Sequence, residues 1–197
     1  MKTYKVKLTF VEEILGTVPR DREIYQTWVQ TQALELTEDQ IEQELNTIEE
    51  IEEKGWTGFH LVDGNPILYD YVVKGFFKDA CGMLRRADGT LSAKVTAYKR
   101  VIDGLVFVRP RQIPLRLPDG QEMGVNERPL RAQTAQGERV ALARSDTCPA
   151  GTTMEFSVIV MGKVSKELLK EWLDYGRWRG LGQWRNAGWG VFEYEID

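Results

Sequence analysis

"GTTMEFSVIVMGKVSKELLKEWLDYGRWRGLGQWRNAGWGVFEYEID" fills residues 151–197, and its reading decides the fold. Residues 151–162 are rich in β-branched and aromatic side chains and predict a strand. Ser165 then stands at the N-cap position of a helix that runs to about Gly180. A glycine-rich, basic and aromatic loop follows, and "VFEYEID" predicts a last strand. Strand, helix, loop and strand are thus written into one quarter of the chain.

That order is the second half of a β-α-β-β-α-β unit. The first half is sought upstream. "YKVKLTFVEEILG", residues 4–16, alternates and predicts strand one. "LYDYVVKGFFKDACGMLRR", residues 68–86, predicts a helix starting at Asp70 or Val73 and ending near Arg86. Residues 91–117 predict two strands with a tight turn at Asp103-Gly104, made irregular by Pro110 and Pro114. Residues 55–67 and 118–129 read as loops, the former with a turn over Asp63-Gly64-Asn65-Pro66. Residues 130–146 read as a hairpin around Gln136-Gly137. The expected fold is α+β: a ferredoxin-like (RRM-like) core elaborated by a β-hairpin, in a single domain spanning 1–197.

Residues 19–54 are expected to be a helical insertion after strand one. "VPRDREIYQTWVQTQA" reads as helical after Pro19, with Ile24, Trp28 and Val29 on one side. In "LTEDQIEQELNTIEEIEE", Thr37 is the N-cap, and Glu38 and Asp39 fill the first turn, where the helix dipole favours acids. Ile41, Leu45, Ile48 and Ile51 form the apolar stripe, and Gly55 ends the helix.

Charge is segregated. Residues 35–54 hold nine acids and one lysine, a net of −8 against a total of −4, so the remainder carries +4. Arg85, Arg86, Lys94, Lys99, Arg100, Arg109, Arg111, Arg116, Arg128, Arg131, Arg139 and Arg144 belong to that basic remainder. No apolar run reaches the roughly 18 residues of a membrane helix. Charges interrupt the N-terminus where a signal peptide would be apolar. A cytoplasmic protein without membrane contact is expected. Cys81 and Cys148 share no metal or redox spacing, and His60 is the single histidine. Neither a metal nor another cofactor is expected, and Asp63, Asp70 and Asp79 fit no standard metal loop.

Two stretches carry candidate binding chemistry. In the closing loop, Gly180, Gly182, Gly188 and Gly190 allow positive φ and close approach. Arg177, Arg179 and Arg185 supply charge, while Trp178, Trp184 and Trp189 offer faces for unpaired bases, worth about 1–3 kcal/mol per stacked base. The same loop also reads as a tight connection whose tryptophans pack inward. In the helix from residue 70, Lys74, Gly75 and Lys78 lie on the early turns, where anions are favoured, or else form a surface lysine pair.

These stretches, taken in order with "CPAGTTMEF", resemble the Cas RAMP superfamily, the ferredoxin-like RNA-binding proteins of CRISPR effectors. Lys74-Gly75 matches the family's Lys-Gly at its first helix, although "LYDYV" replaces the Pro-Gly-Ser-Ser start. Pro149, Gly151, Thr152, Met154 and Phe156 match the entry to its penultimate strand. Gly182, Gly188 and Gly190 match its glycine-rich loop, and "VFEYE" its last strand. The resemblance covers residues 70–197 and strand one. It implies single-stranded RNA as ligand and other effector subunits as partners, in a cellular defence or phage locus. The implied contacts are Lys74, Lys78, Arg85, Arg86, Lys99, Arg100, Arg177, Arg179, Gly182, Trp184, Arg185, Gly188 and Gly190.

Two other readings stand beside it. The acidic helix, through Glu38, Asp39, Glu42, Glu49 and Glu53, reads as a surface for a basic protein partner, as in an inhibitor or effector-subunit mimic. His60 reads as the general base of a metal-independent endoribonuclease, or as a structural histidine between Phe59 and Leu61.

Overall fold

The computed structural model describes residues 1–21, 37–45, 55–134, 137–162 and 164–197. Strand β1 (Lys2–Phe10) lies inside the larger sheet. It pairs antiparallel with β12 (Phe192–Ile196) on one side and β11 (Thr153–Val160) on the other. The register sets Val6 opposite Phe156 and Ile196, and Leu8 opposite Met154 and Tyr194. The far side of β11 pairs with β7 (Val106–Arg109) and β8 (Gln112–Arg116). From β8 the sheet continues to β6 (Asn65–Tyr69) and β5 (His60–Val62).

Among the described residues there are four α-helices: α1 (Glu38–Leu45), α2 (Asp70–Leu84), α3 (Tyr98–Leu105) and α4 (Lys166–Arg179). The fold is α+β, and strands predominate. Helices α2 and α4 pack on the face of the large sheet where Val6, Leu8, Phe10, Met154, Phe156 and Val158 alternate inward. Phe192 bridges the layers, edge-on to Phe10 at 6.1 Å and to Phe76 at 5.6 Å. Trp172, fully buried, lies 5.5 Å from Phe77 and donates its indole N–H to Ser92 Oγ at 3.0 Å, so its one polar atom is satisfied in the core. Gly176 lets α4 approach: a Cβ there would stand 2.1 Å from Phe192 Cζ.

A smaller sheet leans on the larger one. Its order is β2 (Ile14–Leu15), β10 (Gly137–Cys148), β4 (Trp56–Gly58), β3 (Val18–Pro19), with β9 (Gly124–Thr134) pairing along β10. Its interior is mixed: Ile14, Leu15, Val18 and Cys148 are buried beside Arg20, Ser145, Asp146 and Thr147. Asp146 forms an ion pair with Arg20, both side chains largely buried, and accepts the Trp56 indole N–H at 2.9 Å. Ser145 Oγ donates to the Gly16 carbonyl at 2.8 Å.

Local chemistry explains the helix ends. The Ser165 hydroxyl accepts the Leu168 amide at 3.2 Å, as the sequence predicts. At α1, the Thr37 hydroxyl accepts from the Gln40 amide at 3.4 Å, and the Thr37 amide donates to Gln40 Oε1 at 3.0 Å, a capping box. The helix predicted after Pro19 lies outside the described residues, apart from residues 20–21, and Val18–Pro19 before it form β3. Ile48 and Ile51 of the apolar stripe lie outside them as well. The 19–54 segment leaves and re-enters between β3 and β4, which pair directly, Val18 opposite Gly58.

Four expectations are corrected. Strand one stops at Phe10, and Ile14–Leu15 belong to the smaller sheet. The supposed loop 55–67 holds β4, β5 and the start of β6. Its turn is a two-residue hairpin with Asp63 at φ 50° and Gly64 at φ 76°, the backbone that matches strand twist. Residues 91–105 form a 3₁₀ turn and α3 rather than a strand. Tyr98, Val101, Ile102 and Leu105 are spaced as one helical face, so Asp103-Gly104 sits inside a helix and makes no hairpin. Finally, β9 begins at Gly124, within the segment read as loop. The hairpin read around Gln136-Gly137 is formed by β9 and β10.

Candidate nucleic-acid interface

The closing loop runs from Gly180 to Val191, between α4 and β12, and packs against the bend after β1. The Gly190 amide donates to the Glu13 carbonyl at 2.9 Å, and the Gln183 amide to the Leu15 carbonyl at 3.3 Å. The Gln183 side chain is held by the Thr57 hydroxyl at 2.9 Å, which ties the loop to the smaller sheet. Three of its glycines serve this packing. A Cβ would meet Trp189 O at 2.4 Å from Gly180, Leu15 O at 2.7 Å from Gly182, and Leu181 O at 1.9 Å from Gly190. Gly188, at φ 89°, faces open space. The sequence reading of these glycines as a ligand cradle therefore divides: Gly190 is buried packing, Gly182 packs on Leu15 while lining a hollow, and Gly188 is exposed.

That hollow, about 540 Å³, is lined by Arg128, Arg179, Gln183, Trp184, Arg185 and Asn186, together with Gly182 and Ala187. Trp184 sits in the left-handed region, φ 51° and ψ 32°, a conformation that disfavours a bulky side chain. The Arg128 guanidinium, reaching from β9, lies 5.0 Å from its ring centre. Arg179 Nε and Arg185 Nη1 both donate to one oxygen, Asp79 Oδ2 on α2, at 3.2 Å and 2.9 Å. Arg179 also donates to Asn186 Oδ1. Three arginines, one carboxylate and one indole thus meet at the joint of the two sheets.

The other predicted contacts lie elsewhere. Lys74 and Lys78 occupy another face of α2 and turn to α3. Lys74 Nζ donates to the Asp103 carbonyl at 3.1 Å, and Lys78 pairs with the Asp103 carboxylate. Arg85, Arg86, Lys99 and Arg100 are exposed around the end of α2 and the start of α3, with Arg85 5.1 Å over Tyr98. Arg177 pairs with Asp174 at 3.8 Å and lies 5.3 Å from the Tyr194 ring. Trp178 projects into solvent, 83% exposed. The outward face of the large sheet mixes signs, with Lys7 3.9 Å from Glu195 and Arg116 3.9 Å from Glu155.

His60 is 2% exposed and lies edge-on to Tyr69 at 4.7 Å. An imidazole enclosed in this way does not present a base to a 2′-hydroxyl in solvent. Both cysteines are free and buried, and burial pushes the Cys148 thiol up. On α1, Asp39 and Glu42 are exposed, whereas Glu49 and Glu53 lie outside the described residues.

Sequence reasoning missed Arg128 as part of the site and gave Asp79 no role with the arginines. Asp79 is 100 residues from Arg179, and only the packing of α2 beside the closing loop joins them.

No protein-family model matches the chain, and no curated protein matches it. Solved structures do. A chain in the type III-B Cmr-beta complex bound to cognate target RNA superposes with a TM-score of 0.59 at 11% identity. The match covers 99% of this chain and 59% of that one, so this chain spans about three-fifths of its neighbour's length. A chain of a type IV-B CRISPR complex matches with a TM-score of 0.48 at 11% identity, over 100% of this chain and 90% of that one. Among the described residues, no helix is long and apolar enough to cross a membrane.

Proposed function

We propose that this chain is a RAMP-like protein that binds single-stranded RNA as a subunit of a CRISPR-type effector, in a cellular or phage-encoded defence setting. The observation that carries the proposal is the meeting of Arg128, Arg179 and Arg185 around the half-buried Trp184. Guanidinium groups hold phosphates, and an indole beside them stacks a base, the pairing that sequence-tolerant single-strand binding uses. The fold likeness to a chain of an RNA-bound Cmr-beta complex supports the reading.

A ferredoxin-like core is part of the proposal. The strand order β12-β1-β11-β7, with α2 between β1 and β7 and α4 between β11 and β12, favours it. The proposal also takes residues 1–197 as one cytoplasmic domain, with 19–54 as its insertion.

The test is fluorescence anisotropy with a labelled single-stranded RNA across a salt series. Wild-type protein binds, and affinity falls with salt with a log–log slope of roughly −2 for three phosphate contacts. The triple variant Arg179→Ala, Trp184→Ala, Arg185→Ala binds at least about tenfold more weakly, given the worth of one stacked base. Wild type that stays unbound at low salt, or a triple variant that binds like wild type, overturns the proposal.

A further inference from the structure

On the RNA-binding reading above, we infer that Asp79 is a built-in competitor of the RNA phosphate, a carboxylate that occupies the anion position of the arginine pair and lowers its affinity. Two guanidinium groups from different elements, Arg179 at the end of α4 and Arg185 within the closing loop, aim donors at a single oxygen. The distances, 3.2 Å and 2.9 Å, are those at which an anion's oxygen is held. Asp79 Oδ2 therefore marks the place that a phosphate oxygen takes.

The surroundings favour competition over structural stapling. Asp79, Arg179 and Arg185 are each between one-quarter and one-third exposed, and ion pairs that wet contribute little to stability. The fold does not need this contact to hold the loop. The loop is already tied down by backbone bonds to Glu13 and Leu15 and by Thr57 on Gln183. The pair is also half-neutralised: two positive charges face one negative charge, and a phosphate arriving on Trp184 meets the like charge of the carboxylate. The Asp79 side of α2 offers no lysine in exchange, because Lys74 and Lys78 are turned to Asp103.

Binding then proceeds by exchange. A phosphate oxygen takes the two donors from Asp79, the carboxylate swings to solvent, and the base settles on Trp184. Asp79 lowers the affinity of every anion that must displace it, so a ligand that also gains the stacking energy stays bound where simple phosphate does not.

Asp79→Asn tests this, because the amide keeps an acceptor for the arginines and loses only the charge. With the same RNA and salt series, the variant binds roughly three- to tenfold more tightly than wild type. Its salt slope steepens by about 0.7, one further phosphate contact on a single strand. Inorganic phosphate, added as a competitor, displaces RNA from the variant at lower concentration than from wild type. Asp79→Glu, which keeps the charge, stays at or below wild-type affinity. A thermal melt accompanies each protein, and Asp79→Ser, neutral and smaller, takes the place of Asp79→Asn if that variant does not fold. Equal or weaker RNA binding by folded neutral variants overturns the inference and leaves the RNA-binding reading in place. Wild type that stays unbound at low salt overturns both, whatever the neutral variants do.

Discussion

The two sheets differ in what they bury. The larger is dry: Phe10, Phe77, Trp172 and Phe192 fill the space under α2 and α4, and the polar indole nitrogen is matched by Ser92. The smaller adds to its buried Ile14, Leu15, Val18 and Cys148 a polar cluster of Arg20, Ser145, Asp146 and Thr147, joined by an ion pair and hydrogen bonds. Apolar packing tolerates approximate shapes, whereas a buried charge does not tolerate loss of its partner. The loop that carries the candidate site straddles this boundary, anchored to the dry layer by Gly180 and Gly190 and to the polar one by Gln183.

The contrast breaks first at Asp146. Asp146→Ala takes from the buried Arg20 guanidinium its carboxylate and from Trp56 its acceptor, at a cost of about 3–5 kcal/mol in chemical denaturation. A loss within that of an ordinary surface change would show that water already solvates the smaller sheet. The dry layer responds less to a single added methyl. Gly176→Ala drives a Cβ into Phe192 and costs about 1–3 kcal/mol, read in the same denaturation experiment. A neutral result would mean that α4 slides freely on β12. The smallest effect belongs to the tie between the regions. Thr57→Val removes the hydroxyl that holds Gln183 and costs about 1 kcal/mol. It loosens the closing loop, so hydrogen exchange at Gln183 and Trp184 rises while the rest of the chain keeps its protection.

The same boundary separates what the sequence makes legible from what it hides. The strands and helices of the dry layer are readable because period-2 and cap signals are local: Ser165 three residues before Leu168, alternating residues along β11. Helix α3 is hidden for a local reason too, since Asp103-Gly104 imitates a hairpin turn and masks the helical spacing of Tyr98, Val101, Ile102 and Leu105. The polar interior is not local. Arg20 and Asp146 are 126 residues apart, and neither carries any mark of burial. At the candidate site, Arg179, Trp184 and Arg185 are legible because they stand within seven residues of one another. Arg128 and Asp79 reach it from β9 and α2, through pairings that no window of sequence contains. The glycines were counted as ligand-facing because glycine permits any close approach, and sequence does not say whether the approaching group is a phosphate or Leu181's carbonyl.

The stacking of Arg128 on Trp184 has an optical consequence. Trp172 emits from a dry interior and Trp178 from water, so both stand apart from the site. Trp184 lies beneath a cation that, on the RNA-binding proposal, a stacked base replaces. The chain holds six tryptophans, so the reporter is the difference in emission between wild type and Trp184→Phe, and on that proposal the difference follows occupancy without any label.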